Sequence, residues 1–235
     1  VVNTIKSESS GFYLLETTNS ESILHLEEEI LKSFYEKQYE IDTSFIILEP
    51  EEKSKFITID QIRKIEGGII DSKLSGKLDL DRVALGGHSY GGATAILASH
   101  NYEIVKACVV LDGWISPIPD KVISEGINVP FLFMGRPSWH DSDYPGNYER
   151  LADLITHSSS KKYDLRINQT LHLDYTDIPL MSPLVKHVMD VGNLKPSTAL
   201  SLINDLVLGF LEVHLLERDY KGFKQALDNN LLIKS

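Results

Sequence analysis

The chain has 235 residues, of which 42% are hydrophobic and 24% charged, enough for one large globular domain with a full core. Its formal net charge of −11 excludes binding to nucleic acid or to an anionic membrane by charge alone. The single cysteine, Cys108, excludes an intrachain disulfide, and its apolar neighbours favour a buried thiol over a catalytic one.

The chain shows neither an apolar run long enough to span a membrane nor a visible signal peptide. We therefore expect a soluble protein, cytoplasmic or secreted, without integral membrane association and with no signal for an oligomeric state. We interpret residues 1–235 as a single domain.

The amino-terminal quarter predicts one strand and one helix. Residues 1–5 are typical of a strand, and Ser20 begins a helix whose apolar stripe runs over residues 23–34. A short apolar piece follows at residues 42–49. We treat residues 11–57 as a candidate insertion or lid, although core packing is the commoner use of an amphipathic stripe.

From residue 58 onward, helical and strand patterns alternate. A helix is expected over residues 58–75, where isoleucines recur at helical spacing. Strands are expected at 82–86, 106–111, 129–134 and 163–167, with helices from the first strand to about residue 100 and over 197–216. This alternation predicts α/β architecture, with a mostly parallel sheet covered by helices on both faces and ligands at the carboxyl ends of its strands.

The segment Gly87-His88-Ser89-Tyr90-Gly91 lies between a predicted strand and a predicted helix. Gly-x-Ser-x-Gly in that setting is a nucleophile elbow, in which a sharp turn exposes the serine hydroxyl above the sheet. We expect a side chain at either flanking glycine to collide with the neighbouring strand or helix. A phosphate-binding turn is the rival interpretation, but neither of its glycine-rich motifs is present. Ser89 is therefore the candidate nucleophile.

Two positions are candidates for the acid that such a serine requires. Asp112 directly follows an apolar strand, whereas Asp141 and Asp143 lie in the polar loop after the next strand, the commoner place for this acid. A carboxylate tethered to a strand end is mounted more rigidly, so the residues slightly favour Asp112.

The candidate base is His172, which follows the last predicted strand and would lie at the carboxyl edge of the sheet. His140 is its only rival, and it comes before that strand. We expect the neighbour of the serine, His88, to point away from it. The remaining candidates are expected to serve packing or the surface: His157, His187 and His214. The scattered histidines suggest neither a metal site nor a cofactor.

These residues together resemble the platelet-activating factor acetylhydrolase family, in its single-chain, calcium-independent branch with bacterial esterase relatives. The resemblance covers residues 78–216. It rests on Gly87-His88-Ser89-Tyr90-Gly91-Gly92-Ala93-Thr94, Leu111-Asp112-Gly113-Trp114, Pro130-Phe131-Leu132-Phe133-Met134, and His172 with Asp174-Tyr175-Thr176-Asp177.

The resemblance implies an α/β-hydrolase fold with Ser89 as nucleophile, His172 as base and Asp112 as the acid that orients it. It also implies hydrolysis of short or oxidised acyl esters, notably of phospholipids, without a metal. The backbone N–H of Tyr90 is expected to be one oxyanion donor. Trp114 and Trp139 lie beyond strand ends, where they would either line an acyl pocket or pack within their loops.

The second oxyanion donor, usually marked by a His-Gly motif, is not found before Ser89. The family pattern also leads us to expect further strands ahead of Val1, and hence low activity of these residues alone, because losing one donor costs about 10²–10³ in turnover. Two alternatives stay open: another carboxylesterase, lipase or peptidase on the same framework, or a catalytically silent binding module.

Overall fold

The computed structural model of the protein describes residues 3–6, 13–16, 59–139, 146–182, 184–229 and 233–234. The helix expected around 23–34 and the apolar piece at 42–49 lie outside these residues, as does the rest of the candidate lid region except 13–16. In chain order the elements are β1 (Asn3–Lys6), β2 (Tyr13–Glu16), α1 (Ile59–Glu66), β3 (Val83–His88), α2 (Tyr90–Asn101), β4 (Val105–Leu111), α3 (Asp120–Glu125), β5 (Phe131–Gly135), α4 (Asn147–His157), β6 (Lys162–Ile167), a 3-10 helix (His172–Tyr175), α5 (Ile178–Met181), a second 3-10 helix (Val185–His187), α6 (Pro196–His214), α7 (Lys221–Asn229) and β7 (Ile233–Lys234).

Strands β3, β4, β5 and β6 form a parallel sheet in that order, and β7 adds an antiparallel edge beside β6. The register aligns His88 of β3 with Leu111 of β4, and Leu111 with Met134 of β5. These three strands therefore end at one level of the sheet. Strands β1 and β2 pair with each other as a separate antiparallel hairpin.

Alternate residues of the central strands supply two cores, one on each face of the sheet. Cys108 and Val110 of β4 face α2, α3 and α4, whereas Ala107 and Val109 face α6 and α7. All four are fully buried or nearly so, as the period-two geometry of a strand between two helical layers requires. The predicted α/β architecture, with a mostly parallel sheet and helices on both faces, is confirmed.

Helix α1 is shorter than the 58–75 expected from its isoleucines. It ends at Glu66, and Gly68 then adopts a left-handed conformation with φ of 71°. The Ile69 N–H donates to the Lys64 carbonyl, which completes a Schellman-type cap. Ile69 and Ile70 consequently lie beyond the helix and are exposed rather than packed on its stripe.

Helix α6 is followed by α7 and β7. It is long and apolar enough to cross a membrane by length and composition alone. Within the described residues, however, Leu206 and Phe210 of this helix are completely buried in the core on one face of the sheet. We therefore assign α6 to the core.

Candidate active site

Ser89 forms the turn between β3 and α2 and has a strained backbone, with φ of 56° and ψ of −122°. Its N–H donates to the Leu111 carbonyl at 3.0 Å, and its own carbonyl accepts from the N–H of Trp114 at 2.9 Å. The turn is thus fixed to the carboxyl end of β4. Such fixing is what allows a strained conformation to persist.

The glycines around Ser89 differ in whether they leave room for a side chain. A Cβ on Gly87 would lie 2.1 Å from the Gly91 carbonyl oxygen, and one on Gly92 would lie 2.7 Å from the Val110 side chain. A Cβ on Gly91 would meet no atom within 4 Å. The expected collision is therefore correct for Gly87 and wrong for Gly91, because the close approach is made by the Gly91 carbonyl and not by its Cα face.

The structure brings Ser89, His172 and Asp112 into one chain of hydrogen bonds. His172 Nε2 lies 2.9 Å from Ser89 Oγ, and His172 Nδ1 lies 2.6 Å from Asp112 Oδ2. A carboxylate at Nδ1 requires the proton there, which leaves Nε2 to accept from the serine hydroxyl. The arrangement can activate a serine hydroxyl for attack on an acyl carbon.

Asp112 is completely buried and follows β4 with a left-handed φ of 43°. Its carboxylate accepts from the Arg136 N–H and Nε–H, both at 2.9 Å, and from Trp139 Nε1–H at 3.2 Å, as well as from His172. Burial raises the pKa of Asp112, but the hydrogen bond from His172 and the charge of Arg136 outweigh it and hold that pKa below its usual range. The competing positions Asp141 and Asp143, like His140, lie outside the described residues.

Arg136, which sequence reasoning missed, bridges Asp112 to a second carboxylate. Its Nη1 lies 3.1 Å from Asp190 Oδ2, and that same oxygen accepts the backbone N–H of His172 at 3.3 Å. Arg136 directly follows β5, so it occupies the same kind of strand-end position that marks Asp112 in the sequence. Asp190 lies in a loop, where the sequence carries no such signal.

His88 does not point away from the site as expected. Its ring lies 4.4 Å from that of His172, and its Nε2 is 3.0 Å from the His172 carbonyl oxygen, which requires the N–H on Nε2. Burial, together with the charge of His172, lowers the pKa of His88 to about 4. A neutral His88 thus holds the main chain of the candidate base.

The other histidines are placed as follows. His214 lies within α6 and pairs with the Tyr163 hydroxyl at 3.0 Å, a packing contact. His157 is exposed at the end of α4. The backbone of His187 lies in the second 3-10 helix, and its side chain is outside the described set.

The two candidate pocket tryptophans have different surroundings. Trp139 is buried, with its ring centroid 5.4 Å from that of His172 in an edge-to-face arrangement and the Arg136 guanidinium 4.2 Å over its face. Trp114 is half-buried, 6.3 Å from the Tyr90 ring. Trp139 thus packs behind the acid and the histidine, whereas Trp114 lies beside the residue that follows the serine.

Tyr90 is the first residue of α2, so its N–H lies at the amino end of the helix, where an oxyanion is favoured. Most of the segment ahead of Ser89 that would supply a second donor lies outside the described residues. Within the described part of the chain, no group of three or more metal-ligating side chains comes together.

Comparison with known proteins gives a consistent picture. A family model described as platelet-activating factor acetylhydrolase, isoform II, matches residues 47–231. A platelet-activating factor acetylhydrolase from Gallus gallus is 28% identical over 159 residues, which are 66% of this chain and 36% of that protein. The enzyme of the same name from Bos taurus is 28% identical over 166 residues, which are 68% and 36% of the two chains. The chain therefore spans little more than a third of the length of these relatives.

Among solved structures, a ferulic acid esterase from Streptomyces cinnamoneus superposes with a TM-score of 0.50 at 24% identity, over 61% of this chain and 43% of that one. At that identity the structural similarity is evidence for the fold alone. It agrees with the α/β-hydrolase fold seen in the parallel sheet and its two helical layers.

Proposed function

The chain belongs to the platelet-activating factor acetylhydrolase, isoform II, family, and from that premise we propose that it is a serine-dependent carboxylic ester hydrolase. Its proposed nucleophile, base and acid are Ser89, His172 and Asp112. The observation that supports this is their hydrogen-bonded order on a strained elbow, with 2.9 Å from Ser89 to His172 and 2.6 Å from His172 to Asp112.

In the acylation step, Ser89 Oγ attacks the ester carbonyl carbon and His172 Nε2 takes the hydroxyl proton. Collapse of the tetrahedral intermediate breaks the bond to the alcohol, which leaves with the proton from Nε2. The acyl group stays on Oγ. Asp112 stabilises the imidazolium that exists between these two transfers, and the N–H of Tyr90 donates to the oxyanion.

In the deacylation step, His172 takes a proton from water, and the hydroxide oxygen attacks the acyl carbon. The second tetrahedral intermediate expels Ser89 Oγ, which recovers its proton from Nε2, and the carboxylic acid leaves. No metal takes part in either step of this scheme.

The proposed substrate class is supported by the family. The relatives carry the name acetylhydrolase, so we propose short acyl esters, including those of platelet-activating-factor-like phospholipids, as substrates. The formal charge of −11 favours neutral or zwitterionic substrates over anionic ones.

A fluorophosphonate probe applied to the full-length folded protein tests the nucleophile, because it reacts with an activated serine hydroxyl. We expect Ser89→Ala to abolish labelling. The control Ser124→Ala, which changes an exposed serine of α3, should leave labelling intact. Unlabelled Ser89 in the folded full-length protein would instead support a catalytically silent binding module.

A panel of esters with acyl chains of increasing length, together with a peptide amide, tests the substrate class. We expect acetyl and other short esters to be turned over fastest. Preference for long chains would favour a lipase, and cleavage of the amide would favour a peptidase.

A further inference from the structure

The guanidinium of Arg136 lies between two carboxylates that hold opposite ends of the same histidine. The Arg136 side chain is only 7% exposed and pairs with Asp112 at 2.9 Å and with Asp190 at 3.1 Å. Asp112 accepts the imidazole Nδ1–H of His172, and Asp190 accepts its backbone N–H. One buried cation therefore links the side-chain anchor of His172 to its main-chain anchor.

This geometry exceeds what packing alone requires. A buried arginine needs its charge compensated, and the completely buried Asp112 would suffice for that. The second anion, Asp190, is 47% exposed and uses one oxygen for both Arg136 and the His172 main chain. Its position ties the loop that carries His172 to the end of β5.

We propose that Arg136 and Asp190 are positioning residues that act in opposite directions on the pH range over which His172 works as a base. The proposal rests on the proposed ester hydrolase function of the same site. Neither residue is expected to touch the substrate. Arg136 acts through Asp112, and Asp190 acts through Arg136 and the His172 backbone.

The sign of each effect follows from charge. Arg136 partly neutralises Asp112 and so weakens the attraction of that carboxylate for a protonated imidazole. Asp190 partly neutralises Arg136 and faces His172 itself, so it favours the protonated imidazole. The effect of Asp190 should be the smaller, because a half-exposed charge is screened by solvent and salt.

Other groups around His172 do not mimic this pattern. Among the residues that the structure describes, the titratable and charged side chains around it are His88 on β3, Asp112 after β4, Arg136 after β5, Asp174 on its own 3-10 helix, and Asp190. The pKa of His88 is near 4, so His88 stays neutral through most of the range tested. Burial raises the pKa of Asp174, but that group is common to the wild type and every variant, so its contribution cancels.

The test is the pH profile of kcat/KM of the full-length protein on a soluble short-chain ester, from about pH 5 to 9. Arg136→Gln should move the acidic limb up by about one pH unit, which is about a tenfold loss of kcat/KM on that side. Asp190→Asn, which keeps an oxygen for the His172 N–H, should move the limb down by a few tenths of a unit, and less at high salt. Arg136→Lys keeps the charge without the planar fork, so its limb should stay nearer the wild-type position than that of Arg136→Gln.

A matched control is Arg218→Gln, which removes an arginine paired with Glu212 at the end of α6 and should leave the limb unmoved. Should Arg136→Gln not fold, the part-exposed Asp190→Asn still tests the sign. Limbs that move in the same direction in Arg136→Gln and Asp190→Asn, or do not move, would overturn the inference. Failure of the wild type to label with a fluorophosphonate would overturn the proposed function instead, so the two failures are distinguishable.

Discussion

Replacing Asp112 by asparagine removes one buried negative charge and turns one carboxylate oxygen into an amide donor. The two oxygens now accept from two donors each: Oδ1 from the Arg136 N–H and Trp139 Nε1–H, and Oδ2 from Arg136 Nε–H and His172 Nδ1–H. Either orientation of the asparagine therefore points an NH₂ group at two N–H donors. His172 is the one partner that can adapt, by moving its proton from Nδ1 to Nε2.

That tautomer change determines the size of the catalytic effect. With the proton on Nε2, His172 can no longer accept from Ser89 Oγ, so general-base catalysis is lost. We expect kcat to fall by about 10⁴, the size of loss that a wrong histidine tautomer causes in serine proteases. The fold should also lose about 3 kcal/mol, since Arg136 keeps Asp190 but loses its fully buried partner.

Turnover of a saturating short ester and chemical denaturation measure these two effects on the full-length protein. Asp141→Asn and Asp143→Asn are the matched controls, and each should stay within a few fold of wild-type turnover. The assignment would be refuted if folded Asp112→Asn kept wild-type turnover while a control lost it. An unchanged free energy of unfolding would refute the argument about the stranded arginine.

Two further predictions concern the elbow and pH. Gly87→Ala should cost about 3 kcal/mol or more in chemical denaturation, because the new Cβ would lie 2.1 Å from the Gly91 carbonyl oxygen, whereas Gly91→Ala should stay within about 1 kcal/mol of wild type. Equal losses would contradict the geometry given for these two glycines. The pKa of His88 is lowered from 6.5 to about 4 in the folded protein. Between these two pH values the unfolded chain therefore binds one more proton at His88 than the folded chain does. The contribution of His88 to stability is complete above about pH 6.5 and is lost as the pH falls towards 4. Between pH 8 and pH 5 this amounts to about 2 kcal/mol, which the variant His88→Gln should not show in urea denaturation; parallel pH slopes would argue against it.

The parts of the fold and site that the sequence predicted share a local signal. Ser89 is marked by its flanking glycines between a strand and a helix, Asp112 by its place directly after an apolar run, and His172 by its place after the last parallel strand. Each of these patterns spans fewer than about ten residues and depends on strand and turn chemistry alone. The structure places all three side chains at the same edge of the sheet.

What the sequence did not reveal depends on contacts between distant segments. Asp190 joins the site because its loop folds back onto Arg136, a contact across 54 positions of the chain. His88 reaches His172 because β3 and the loop after β6 meet above the sheet, across 84 positions. The overestimated length of α1 has a local cause instead, since the Gly67-Gly68 pair ends the helix while the isoleucine spacing continues past it.

The backbone of His172 is anchored by side chains, whereas the backbones of Ser89 and Asp112 are anchored by the sheet. Ser89, Asp112 and Arg136 each directly follow one of the adjacent strands β3, β4 and β5, so the sheet hydrogen bonds fix their backbones. His172 comes five positions after the end of β6, where a loop leads into a 3-10 helix. Its N–H is held by Asp190 and its carbonyl by His88, and these two bonds stand in for the strand pairing that it lacks. Since a displacement of about 1 Å can cost 10²-fold in rate, the side chains that fix this loop matter as much as those that carry the chemistry.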